Sequence, residues 1–115
     1  MNTPAADPST PLLAGRSLSA GPETYAEHLA RVGPLPAGHG RTDVIAGLEA
    51  SGLLGRGGAG FPVGRKWRTV AERATGGAIV LANGAEGEPL SAKDRAVMSV
   101  RPHALIDGVI LTARS

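Results

Sequence analysis

The chain has 115 residues, including 17 glycines, 9 prolines, one each of Phe, Trp and Tyr, and no cysteine. It is at most one small domain with a thin aliphatic core, and it has no disulfide, thiolate zinc site or cysteine-ligated iron–sulfur cluster of its own. A net charge of +2 without a Lys/Arg run argues against nucleic-acid binding, and the longest apolar run, residues 78–82, is too short to span a bilayer. No charged start followed by an apolar core opens the chain, so a cytoplasmic protein without direct membrane insertion is expected.

Residues 1–36 are rich in Pro, Ala, Ser, Thr and Gly without a sustained period. They predict an extended or disordered arm, with room for a brief helix over residues 23–32. Residues 37–115 form the expected domain. Thr42 can act as an N-cap with Asp43 in the first turn, and Val44, Ile45 and Leu48 make a helical stripe ending near Gly52. A glycine-dense loop comes next, and residues 67–74 read as a short helix or turn.

Thr75-Gly76-Gly77 is a breaker, and the run Ala-Ile-Val-Leu-Ala over residues 78–82 reads as a buried strand. Asn83, Glu86 and Glu88 then fall at its carboxyl end, where ligands bind in open α/β sheets. Ser91-Ala92-Lys93-Asp94 resembles a capping box for a helix through about Ser99, and Pro102 suits the first turn of another. On that last helix Leu105, Ile106, Val109, Ile110 and Ala113 share one face, yet the sequence reaches Ser115 without a Gly or Asn stop signal. Either a frayed terminal helix or a chain cut short accounts for this.

The densest chemistry lies in Gly55-Arg56-Gly57-Gly58-Ala59-Gly60-Phe61-Pro62-Val63-Gly64-Arg65-Lys66-Trp67. Glycine lets backbone N–H groups approach phosphate oxygens, the cations add charge, and the aromatics add flat apolar surface, a mixture suited to an anionic cofactor. The first six residues satisfy G-x-G-x-x-G, but a dinucleotide loop should come after a strand and open a helix, whereas here a helix is expected before it and Pro62 interrupts the residues after it. It is not a Walker A loop, because Trp67 stands after Lys66 where Ser or Thr is needed. A plain glycine turn is the alternative.

Asn83-Gly84-Ala85-Glu86-Gly87-Glu88-Pro89 offers an amide for a ring edge and carboxylates for ribose hydroxyls or a carboxamide. The other reading is loop charge that stabilises the helix starting near Ser91. Lys93, Asp94 and Arg95 fit a salt-bridged helix surface, His28 and His39 form no ligand spacing, and His103 reads as a helix-start or packing residue.

The run of residues 51–67, the Asn83 to Pro89 segment, Lys93-Asp94-Arg95 and Pro102-His103, in this order and spacing, resemble the flavin-binding 51 kDa subunit of NADH:quinone oxidoreductase (complex I) over roughly residues 37–115. The resemblance implies an α/β fold, part of a three-layer Rossmann-like FMN-binding domain behind the N-terminal arm. It implies a flavin-dependent NADH dehydrogenase in which FMN and NAD(H) bind and hydride passes from nicotinamide to flavin. Electrons then leave to an iron–sulfur acceptor domain or subunit.

It places Gly55, Gly57, Lys66 and Asn83 at FMN, Glu86 in the same pocket, Phe61 at the adenine of NAD(H) and Glu88 near its nicotinamide. Arg56, Gly58, Gly60 and Gly64 belong to the same cofactor-binding loop. The family usually reads Asn-Ala-Asp-Glu where this chain has Asn83-Gly84-Ala85-Glu86, so one carboxylate is replaced by Ala85. That family also continues for several hundred residues into a cysteine-rich cluster domain. The expectation is therefore a fragment or a short divergent relative, inactive alone, with a non-catalytic nucleotide-binding or interaction module as the alternative.

Overall fold

The structure is a computed structural model that describes residues 12–37 and 41–115, with side chains of the second stretch described from Asp43. The chain divides into two compact units, Met1–Pro34 with Ala82–Gly108, and Leu35–Leu81 with Val109–Ser115. Five α-helices occur among the described residues: α1 (Tyr25–Val32), α2 (Arg41–Ser51), α3 (Val63–Arg73), α4 (Lys93–Val100) and α5 (Pro102–Arg114). Helix α5 contributes to both units, changing from one to the other after Gly108.

In the first unit Thr24-x-x-Glu27 forms a capping box that starts α1: the Glu27 N–H donates to Thr24 Oγ1 and the Thr24 N–H donates to the Glu27 carboxylate. Arg16 draws the preceding turn together by donating from Nε to the Gly21 carbonyl at 2.9 Å and from Nη2 to the Pro22 carbonyl at 2.7 Å. A single 3-10 turn, Leu18–Ala20, lies within that stretch. Helix α1 falls within residues 23–32, where the sequence leaves room for a brief helix. Local side-chain to backbone bonds organise the residues before it, where apolar periodicity is absent.

The centre of this unit is ionic. Val100 is its buried aliphatic residue, and Glu23, His28 and Arg101 are buried with it. Glu23 pairs with Arg101 and takes a bidentate grip from Arg31 at 2.8 and 3.1 Å, while its own N–H donates to the Val100 carbonyl at 2.9 Å. Hydrogen bonding from Arg31 outweighs burial and, with the charge of Arg101, holds the Glu23 carboxyl at about 2.

The second unit is built on α2 packed against α3. Gly64 makes this crossing, because a Cβ there would lie 2.6 Å from the backbone nitrogen of Glu49 and 2.9 Å from its Cα. The Glu49 carboxylate then receives Arg68 Nε at 2.6 Å, and this bond is the main cause that pulls Glu49 down and pushes Arg68 up. Ile45 of α2 is buried in this unit.

The α/β, three-layer Rossmann-like expectation is overturned: no strand occurs among the described residues, and β pairing is limited to one isolated antiparallel bridge, Leu54 with Pro62. Residues 78–82 carry no regular structure, with Ile79 96% and Leu81 80% exposed. Apolar, β-branched composition favours burial, but a strand also needs a neighbour for its N–H and C=O groups, and no described segment pairs with this one. Elsewhere α3 begins at Val63, before the expected start at residue 67, because Pro62 occupies the N-cap and its fixed φ leads into the helix. The N-cap before α2 lies outside the described residues, and Thr42 falls inside the helix.

These contacts set two expected outcomes. Gly64→Ala should cost about 1–3 kcal/mol in chemical denaturation, since the added methyl meets backbone that cannot turn aside; an unchanged midpoint would remove the close crossing. Glu23 has its carboxyl lowered on folding, so its contribution is present above the unfolded value of 4.5 and is lost as pH falls towards about 2. Glu23→Gln should flatten the acid limb of the stability–pH curve in that window, which urea melts at successive pH values would read.

Candidate functional site

The glycine loop lies in the second unit and is closed at its neck. The Gly55 N–H donates to the Phe61 carbonyl and the Val63 N–H to the Leu53 carbonyl, each at 2.9 Å, on either side of the Leu54–Pro62 bridge. Gly58 (φ +87°) and Gly60 (φ +58°) turn the chain through left-handed conformations that other residues resist. A Cβ on Gly55 would touch the Phe61 carbonyl at 3.4 Å. Gly57 is different: its φ is not positive and a Cβ would meet nothing within 4 Å. The fold gives no reason for glycine at that position.

Just past the neck, α3 starts without a side-chain cap and without an acidic residue in its first turn. The Val63 N–H at this end is held by the Leu53 carbonyl and Gly64 is buried, while the helix dipole still favours negative charge nearby. Arg56, Arg65 and Lys66 surround this end in sequence and make no ion pair among the described residues, while Glu49, the nearby acid, is already held by Arg68. Phe61 is 46% exposed, and the Arg65 guanidinium lies 5.8 Å from its ring centroid. Sequence reasoning misses Arg65 as a partner of Phe61, although the i, i+4 spacing carries the signal.

An apolar cleft of about 350 Å³ occupies the same unit, between α3, residues 78–80 and the last turn of α5. Trp67, Val70, Ala74 and Ile79 line it, and of the sequence-predicted residues Lys66 alone reaches it. No glycine of the loop does.

Asn83, Glu86 and Glu88 belong to the first unit. Asn83 Oδ1 accepts the Ala85 N–H at 3.0 Å, closing a small turn, and Glu88 is exposed. Glu86 is engaged: its carboxylate accepts the Asp94 N–H at 2.9 Å and Lys93 Nζ at 3.0 Å. Burial would raise this carboxyl, but Lys93, the Asp94 amide and Ser91 prevail and bring it to about 2. The expected Ser91 capping box is therefore corrected. Ala92 is the N-cap residue without a side-chain bond, and Glu86 reaches across to satisfy the first turn of α4 instead. Lys93 and Asp94 also pair with each other at 3.0 Å.

Among the described residues no group of three or more His, Asp or Glu is arranged to hold a metal ion, and no single helix is long and apolar enough to cross a membrane. Within the second unit the loop and the start of α3 can receive an anion and present an aromatic face at Phe61; within the first unit Asn83 and Glu88 are exposed and offer an amide and a carboxylate.

The family model for the Nuo51 FMN-binding domain matches residues 48–115, more than half of the chain, and the chain belongs to this family. Its relatives include the NADH-quinone oxidoreductase F subunit of Rhodobacter capsulatus, 44% identical over 75 residues, which are 64% of this chain and 17% of the relative. The protein of the same name in Mycobacterium tuberculosis (strain ATCC 25618 / H37Rv) is 45% identical over 75 residues, 62% of this chain and 17% of the relative. That of Streptomyces coelicolor is 41% identical over 69 residues, 60% and 15% respectively. The chain thus spans about 17% of the length of the first of these relatives. No solved structure matches it significantly.

The loop geometry separates structural from ligand-directed glycines. Gly60→Val should lower stability by about 1 kcal/mol or more, since it forces a β-branched residue to positive φ. Gly57→Val should leave the thermal midpoint within the ordinary surface range of about 0.5 kcal/mol. Differential scanning calorimetry of the two variants reads the contrast, and equal losses would cancel the distinction.

Proposed function

We propose that this chain supplies the glycine-loop part of an FMN- and NAD(H)-binding site in a flavin-dependent NADH dehydrogenase. The observation that carries this reading is the neck-closed loop, which combines open space at Gly57 with three cations beside a helix start that carries no acidic residue. Membership in an FMN-binding family and kinship with subunits of NADH-quinone oxidoreductase support it. Bound flavin supplies the acceptance of a hydride and the release of single electrons.

The chain's residues hold and orient. The backbone N–H of Gly57, together with Lys66, stabilises the anionic end of FMN, Gly55 serves by closing the neck beneath it through its bond to the Phe61 carbonyl, and Asn83 reads a polar edge of the flavin ring. Arg56, Gly58 and Gly60 shape and charge the loop around them, and Gly64 sets the direction of α3 where the loop ends. Phe61 stacks on the adenine of NAD(H), and Glu88 hydrogen-bonds near its nicotinamide. Glu86 acts by anchoring the Asn83–Glu88 segment to α4, which leaves Asn83 and Glu88 exposed for ligand. Electrons would pass to an iron–sulfur domain or subunit in the cytoplasm, and the chain alone would not turn over NADH.

A second reading, a nucleotide-binding or interaction module without electron transfer, draws support from the cysteine-free sequence and from Ala85 in place of the family's carboxylate.

The test grafts residues 48–115 into the Rhodobacter capsulatus protein in place of its matched segment, with flavin content and stopped-flow reduction by NADH as readouts. Retained FMN that NADH reduces is the expected result, and Gly57→Val should abolish flavin retention. Glu88→Gln should slow reduction about tenfold while FMN stays bound, as loss of one charged hydrogen bond implies. FMN retained without reduction favours the second reading. Unchanged FMN affinity in Gly57→Val would sink the loop assignment.

A further inference from the structure

His28 is buried, 1% exposed, among groups of both signs. Its Nε2 lies 2.7 Å from Oδ2 of Asp107 on α5. Its Nδ1 lies 3.4 Å from Oε2 of Glu23 and also 3.4 Å from Nη2 of Arg31. An imidazole nitrogen that meets a carboxylate at 2.7 Å carries the proton, so Nε2–H donates to Asp107. The state of Nδ1 is left to its two neighbours.

Those neighbours ask for opposite things. A bare Nδ1 can accept from the Arg31 guanidinium, which has donors only, whereas a protonated Nδ1 can donate to Glu23, which in its ionised form only accepts. One nitrogen cannot do both, and the equal distances mean that neither partner is favoured by position.

The other groups around the ring are already engaged or lie farther away. Arg101 is paired with Glu23 and donates to the carbonyls of Leu12 and Ala14 at 3.1 and 2.7 Å. The His103 ring lies 5.8 Å from His28 and the Tyr25 ring 6.5 Å. With His28 neutral, two carboxylates and two guanidiniums balance; a proton on Nδ1 makes the cluster positive by one.

We propose that His28 is a buried proton switch, in which uptake of a proton at Nδ1 moves its hydrogen bond from Arg31 to Glu23. The partner that yields is Arg31, whose side chain is 31% exposed, whereas those of His28 and Glu23 are 2% and 1% exposed. Arg31 therefore offers both the route by which water delivers the proton and the arm that swings. The link from α1 to α5 survives in both states, because Nε2–H remains on Asp107; what changes is the grip on Glu23. This inference does not depend on the cofactor reading.

The test is ¹⁵N NMR of the full chain through the range in which histidine changes charge, about pH 5–8, extended by about one unit at each end. Nε2 should stay protonated throughout, Nδ1 should gain its proton, and the Arg31 side-chain nitrogens should move with the same midpoint. Glu23→Gln should lower the His28 midpoint and Arg31→Met should raise it, each by about one pH unit or more. If Glu23→Gln does not fold, Arg31→Met at its more exposed position and the Arg31 signals of the unaltered chain decide the matter. A fixed charge on His28 across the range, Arg31 signals that ignore it, or two variants that shift the midpoint in the same direction would overturn the switch.

Discussion

A carboxylate buried between two guanidiniums holds the first unit together. Taking the Glu23 carboxylate out of water costs several kcal/mol unless partners surround it, and Arg101 and Arg31 do so from two sides. The pair is selective more than it is adhesive. An aliphatic contact would accept many arrangements, whereas Glu23 must present its oxygens to both arginines while its amide meets the Val100 carbonyl. Arg101 is fixed in turn by the carbonyls of Leu12 and Ala14, so one charge cluster joins segments nearly ninety positions apart. With Val100 as the buried aliphatic residue there, directional bonds set the structure more than apolar area does.

The second unit solves the same shortage of core differently. Gly64 lets α3 touch the backbone of α2, and close approach recovers dispersion contacts that large side chains would otherwise provide. Arg68 then spans the crossing to Glu49. Because Gly64 lies in the first turn after the loop, this contact fixes the direction of α3 at the end where the loop delivers it. A residue counted with the cofactor loop thereby has a structural duty of its own.

Helix positions are legible in the sequence where the signal is local. Pro102 opens α5, and the stripe of Val44, Ile45 and Leu48 marks α2 up to Gly52. The failures have a common physical root. The run of residues 78–82 has strand composition, but strand formation depends on a partner that composition cannot supply. Ser91 has capping chemistry, but Glu86, eight residues before Asp94, takes the same amide. His28 shows no pattern because Glu23 and Asp107 find it through folding, Asp107 from the far end of the chain. In the loop, the glycines are plain in the sequence, but those required by backbone angle look the same there as the one with open space beside it.

The bridge between Leu54 and Pro62 also bears on how readily the loop can close on a guest. Its flanking bonds hold the two ends of residues 55–61 together before anything binds. The entropy of bringing those ends together has therefore already been spent during folding, and a guest has only the internal torsions of a short glycine-rich segment left to arrest.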